Sequence, residues 1–221
     1  MIKVLVVAPH ADDEVLGCGG AIARHVASGD EVTVLILGKA SATLYDEAAR
    51  EAPLREAREA HSVLGVGNSV FREFPAPMMD TVPIHEIADA VRETIFESGA
   101  ETVYVPHRGD VHQDHSVVFN AALVAARPVD GCPVRRVLAY ETMSETEWAP
   151  PFGGDAFVPN VFLDVTATLD RKIDAMKKYG SQIKEKPHPR SEWGLRALAE
   201  YRGSTVGVAA AEAFALIRDI G

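Results

Sequence analysis

At 221 residues the chain is long enough to bury about 70% of its unfolded surface as one domain, and no linker-like stretch divides it. Its formal charge of −10 argues against nucleic acid or an anionic membrane as partner, because both demand clustered Lys and Arg. Two widely separated cysteines, Cys18 and Cys132, and no run near ~20 apolar residues exclude a disulfide framework and a membrane span. The expectation is one domain over residues 1–221, cytoplasmic, serving a small-molecule substrate, with a homo-oligomer left open.

The opening apolar residues are too short for an export signal and lead straight into polar chemistry. Val4 to Ala8 is a continuous β-branched and apolar run, the signature of a strand buried on both faces. Glu14 to Ser28 reads as a helix stopped by Gly29, and Val32 to Leu37 as a second buried strand. A helix over Glu47 to Leu64, a short strand over Val70 to Phe74, a helix over Ile84 to Ser98 and a strand over Thr102 to Val105 follow. The second half predicts a helix from Ser116 to Ala126 and strands at Arg136 to Glu141 and Val161 to Asp164. It closes with helices at Leu169 to Tyr179, Leu195 to Tyr201 and Val206 to Ile220. This alternation implies an α/β, Rossmann-like fold, an open and mostly parallel sheet with helices on both faces. Ligands then sit beyond the carboxyl ends of the strands.

Two such strand ends carry chemistry. After the first strand stand Pro9, His10, Ala11, Asp12, Asp13 and Glu14, where a dinucleotide-binding fold would have a glycine-rich turn. Gly17, Gly19 and Gly20 come too late for that turn and read instead as sites of close helix packing. Asp12 and Asp13 alone would be explained as helix-capping acids, but His10 would not. After the fourth strand the chain runs His107, Arg108, Gly109, Asp110, Val111, His112, Gln113, Asp114, His115, too dense in His and Asp for a solvated loop. A mixed set of two histidines and one aspartate with an open position suits catalytic zinc, and iron(II) takes a similar set. Farther on, Tyr140, Trp148, Arg190 and Arg202 are candidates to meet a sugar ring or an anionic group. Loop anchoring and surface pairing are the plainer explanations for them.

PHADDE and HQDH resemble the PIG-L/LmbE-like de-N-acetylases, whose first motif is a His-Pro-Asp-Asp-Glu string; here Ala11 replaces the proline. Tyr179, Ser181 and Gln182, and the AEAF of residues 211–214, resemble the C-terminal pattern of that family. The resemblance implies a zinc-dependent hydrolase that removes an N-acetyl group from a small sugar-containing substrate, releasing acetate and an amine. It implies His10, Asp13 and His115 as metal ligands and Asp12 as general base. It also implies His112 as the acid or oxyanion-steadying group, with Asp114 behind it. An arginine on the second helix would hold substrate; Arg55 is the candidate, with Arg50 equally offset. The competing readings are metal-dependent hydrolysis of another bond, and a non-catalytic metal- or sugar-binding module.

Overall fold

The computed structural model describes residues 1–221. β1 (Lys3–Ala8), β2 (Glu31–Ala40), β3 (Asn68–Ala76), β4 (Thr102–Pro106), β5 (Arg136–Tyr140), β6 (Val161–Asp164) and β7 (Ala211–Asp219) form one sheet. Their order is β3-β2-β1-β4-β5-β7-β6, with every neighbouring pair parallel except those made by β7. The helices are α1 (Asp13–Ala27), α2 (Glu47–Leu64), α3 (Ile84–Ser98), α4 (Gln113–Ala125), α5 (Leu169–Met176) and α6 (Glu192–Ser204). None is long and apolar enough to cross a membrane. Both cysteines are free.

Alternation along β1 divides the core in two. Val4, Val6 and Ala8 face a cluster with residues of α1, α2, α5 and α6, while Leu5 and Val7 face one with residues of α3 and α4. Helices on both faces follow, as right-handed crossovers between parallel strands demand. The chain runs outward from β1 to β2 and β3, then returns to place β4 on the other side of β1. That reversal leaves a crevice between the carboxyl ends of β1 and β4.

The expected glycine packing on α1 is present. A Cβ on Gly17 would meet the Tyr140 ring at 2.2 Å, and one on Gly20 would meet Val165 at 2.8 Å. The expected final helix, Val206 to Ile220, is corrected. Residues 211–219 form β7, which pairs antiparallel between β5 and β6. Pairing on both edges and burial of Phe214 override the helical preference of an alanine-rich run. The expected helix Leu169 to Tyr179 ends at Met176, and α6 is longer than Leu195 to Tyr201.

Candidate metal centre and active-site crevice

β1 ends at Ala8 and α1 begins at Asp13, so the turn between them projects His10, Asp12 and Asp13 over the sheet edge. Asp12 stands in an unusual backbone conformation, φ 126 and ψ −27, and its side chain makes no helix-capping hydrogen bond. Asp13 does not cap α1 either; its Oδ2 accepts from the backbone N–H of His10 at 2.9 Å. The capping explanation of these acids is therefore set aside. From β4 the loop carries Asp110 and His112, and α4 carries Asp114 and His115 on its first turn.

These two turns meet. Asp13 Oδ2 lies 3.2 Å from His10 Nδ1 and 3.3 Å from His115 Nε2. Each imidazole has a second carboxylate behind it: Asp114 Oδ2 is 3.0 Å from His10 Nε2, and Asp110 Oδ2 is 2.7 Å from His115 Nδ1. A neutral imidazole has one N–H and cannot donate to two carboxylates. With the proton of His115 on Nδ1 toward Asp110, its Nε2 is a buried lone pair with no hydrogen-bond partner, facing Asp13. Such an arrangement needs a second proton or a cation. Burial opposes charge on His10, but Asp114 and Asp13 outweigh it and hold its pKa up at about 9. Burial likewise opposes charge on His115, and Asp13 and Asp110 raise it well above the usual value. Burial pushes Asp13 up, yet His115 and His10 bring it well below the ordinary range.

The donor set fits zinc. Ligand atoms 2.0–2.1 Å from a tetrahedral ion lie about 3.3 Å apart, close to the separations made by Asp13 with both imidazoles. His10, Asp13 and His115 form one group able to hold an ion, and His10, His112 and Asp114 a second, overlapping one. The expectation that Asp114 backs His112 is corrected. Its carboxylate serves His10 and accepts the Met79 N–H, and only its backbone N–H reaches His112, at Nδ1. That bond puts the His112 proton on Nε2. Burial, reinforced by His10, lowers the His112 pKa to about 4, so at neutral pH this side chain is an uncharged donor rather than an imidazolium.

Asp12 is buried beside Asp13, and burial followed by that negative charge pushes its pKa up to about 8, against the pull of Arg190. Arg190 Nη1 holds Asp12 Oδ2 at 3.0 Å, while its Nε reaches Ser144 Oγ at 2.7 Å. A cavity of about 430 Å³ opens above this floor, walled by His10, Asp12, Asp13, His112 and Arg190 together with Arg50, Thr142 and Glu145.

The other expected substrate contacts fall elsewhere. Tyr140 is fully buried beneath α1, with its hydroxyl donating to Val7 O at 2.9 Å, because the missing Cβ of Gly17 makes room for the ring. Arg202 makes two hydrogen bonds to Glu141, at 2.9 and 2.6 Å, and is absent from the cavity wall. Trp148 is exposed and packs edge-on against His188. Arg55 is exposed on α2 outside the cavity, whereas Arg50, five residues earlier and so on another face of the helix, lines it and anchors by Nε to Ala40 O. Sequence reading missed Asp110 as the partner of His115, although its position in the His- and Asp-rich run was the available signal. Glu145, on the cavity wall, lies in the loop just beyond β5, a strand-end position of the kind to which the sequence pointed without singling this residue out.

Three known proteins are similar over most of their length. The uncharacterized deacetylase YaiS of Escherichia coli (strain K12) is 28% identical over 184 residues, covering 80% of this chain and 90% of that protein. The 2'-N-acetylparomamine deacetylase of Streptomyces fradiae is 27% identical over 215 residues, covering 81% of this chain and 73% of that one. Among solved structures, the conserved protein TT1542 from Thermus thermophilus superposes with a TM-score of 0.77 at 28% identity, covering 100% of this chain and 97% of its own. Residues 5–126, over half of the chain and spanning both His- and Asp-rich turns, match the PIG-L (GlcNAc-PI de-N-acetylase) model, and the chain belongs to that family of deacetylases.

Proposed function

We propose that this protein is a zinc-dependent cytoplasmic hydrolase that removes the N-acetyl group of a small sugar-containing substrate. The observation that carries the reading is His115 Nε2, buried without a partner and aimed at a carboxylate that also faces His10. His10 Nδ1, Asp13 Oδ2 and His115 Nε2 are the proposed ligands, and iron(II) is the other ion that such a set accepts. Zinc held there supplies Lewis acidity to water and to the acyl oxygen.

The remaining steps belong to the chain. Asp12, whose pKa of about 8 would be lowered by a cation on the adjacent His10, Asp13 and His115, takes a proton from the attacking water in its ionised form, and Arg190 holds its carboxylate toward the cavity. Water oxygen bonds to the acyl carbon while the Nε2–H of His112 donates to the developing oxyanion. Return of the proton from Asp12 to nitrogen lets the C–N bond break, giving acetate and a free amine. Asp12 and His112 beside the ligands favour hydrolysis over a binding module. A sugar substrate is supported by the cavity volume of about 430 Å³, with room for a hexose ring, and by the Streptomyces fradiae relative, which is named for an acetylated paromamine.

Release of free amine from a panel of N-acetylated sugars, with and without chelator, tests this. Wild-type turnover is expected to vanish with chelator and return with zinc. Asp12→Asn keeps one equivalent of metal and loses about 10²–10⁴ in turnover, whereas His10→Ala and Asp13→Ala lose the metal. Near-normal turnover by Asp12→Asn, or amine release indifferent to chelator, contradicts the reading.

A further inference from the structure

Behind the crevice lies a buried network that the chemistry above does not use. Glu14 is fully buried, and its Oε2 accepts the backbone N–H of Asp12 at 3.1 Å. Its Oε1 accepts a hydrogen bond from the hydroxyl of Tyr179, itself fully buried, and lies 3.3 Å from His61 Nε2. His61 on α2 is tied in turn by Nδ1 to Ser69 Oγ on β3, at 2.7 Å. None of Glu14, Tyr179 and His61 reaches the cavity wall, so none touches substrate.

The residue whose N–H this network takes is the one with φ 126, a conformation that a side chain rarely adopts and that persists only where its surroundings hold it. The same stretch of chain reaches Asp12 a second time. Tyr179 at its start acts on the Asp12 backbone through Glu14, and Arg190 near its end acts on the Asp12 carboxylate at 3.0 Å. Gln182, between them, accepts from Arg190 Nη1 at 3.2 Å and closes the strap on itself.

We propose that residues 179–190 form a two-point clamp on Asp12, in which Tyr179 and Glu14 are positioning residues that hold its backbone while Arg190 holds its side chain. The proposal rests on the reading of Asp12 as general base. Loss of the Tyr179 hydroxyl frees one Glu14 oxygen, lets the Asp12 peptide relax toward an ordinary conformation, and swings its carboxylate away from the water it must deprotonate. His10 and Asp13, which flank Asp12 in the turn, keep their own carboxylate and imidazole contacts, so metal binding is not the property that suffers.

Tyr179→Phe tests this, with Glu14→Gln as a second variant that keeps the side-chain shape. Expected for Tyr179→Phe is a fall in kcat of about 10- to 100-fold at unchanged KM and unchanged zinc content. In an Asp12→Asn background the same change should lower the residual rate no further, because both act through one group. An equal fall in both backgrounds, or a wild-type kcat, overturns the clamp. Amide hydrogen exchange over residues 9–16 of the unliganded protein gives a readout independent of substrate: it accelerates in Tyr179→Phe if the clamp is real, and unaltered exchange overturns it. Absence of amine release by wild-type protein would instead overturn the proposed function, so the two failures are distinguishable.

Discussion

Asp13 is faced by two imidazoles, and each of these is backed by its own carboxylate, Asp114 for His10 and Asp110 for His115. Asp110 is in turn fixed by Thr146, whose hydroxyl donates to Oδ1 at 2.5 Å. Carboxylates placed behind ligating histidines set the tautomer and raise basicity, and their loss typically costs 10- to 100-fold in metal affinity. Asp110→Asn is expected to weaken zinc binding by about that factor while leaving the fold intact, as read by competition with a chromophoric chelator. Unchanged affinity would remove Asp110 from the site. Sequence made the ligand candidates legible because His and Asp cluster at two strand ends. It could not say which carboxylate stands behind which imidazole. Asp114 follows His112 by two residues, yet its carboxylate points across the crevice to His10, a relation between turns 104 residues apart. Tyr140 and Arg202 misled for the opposite reason: a polar tip, whether on the last residue of β5 or on α6, is as easily spent on Val7 O or Glu141 as on substrate.

Most elements were legible from apolar runs and their stops, and β7 was not. Along residues 211–219 the period of two is present, since Phe214 joins the core under α1 and Ala215 packs on the opposite side. Alanine at alternate positions masks it and mimics a helix. What places this strand is visible only in three dimensions. The buried Glu212 carboxylate accepts the N–H groups of Gly20 and Ala21 on α1, at 2.9 and 2.7 Å. Lys172 of α5 bonds the same carboxylate at 2.6 Å and Leu16 O at 2.7 Å. One ion pair thus fastens β7, α1 and α5, and α1 carries Asp13 at its first turn. Removing one partner of such a pair leaves an uncompensated buried charge, so Lys172→Met is expected to cost about 3–5 kcal/mol. Denaturant unfolding would read the loss as a lower midpoint, and an unchanged midpoint would show that the pair does not hold these elements.

At the scale of the whole molecule, the site exists because the sheet reverses direction. With strands in the order β3-β2-β1-β4-β5-β7-β6, β1 and β4 are neighbours although α1, β2, α2, β3 and α3 lie between them in the chain. Alternation of strands and helices in the sequence implied an open sheet and directed attention to strand ends, but the adjacency of these two ends was an inference that only the register of β1 on β4, Val4 to Thr102 through Val6 to Tyr104, makes concrete. The central claim is that this adjacency pools one imidazole and one carboxylate from the first turn with one imidazole from the second around a single ion. Anomalous diffraction at the zinc edge from crystals grown with one equivalent of zinc tests it most directly. The account predicts one strong peak bound by His10 Nδ1, Asp13 Oδ2 and His115 Nε2 at about 2.0–2.2 Å, with Asp12 and His112 outside the coordination sphere. A peak elsewhere, or one that leaves His115 unbound, would contradict it.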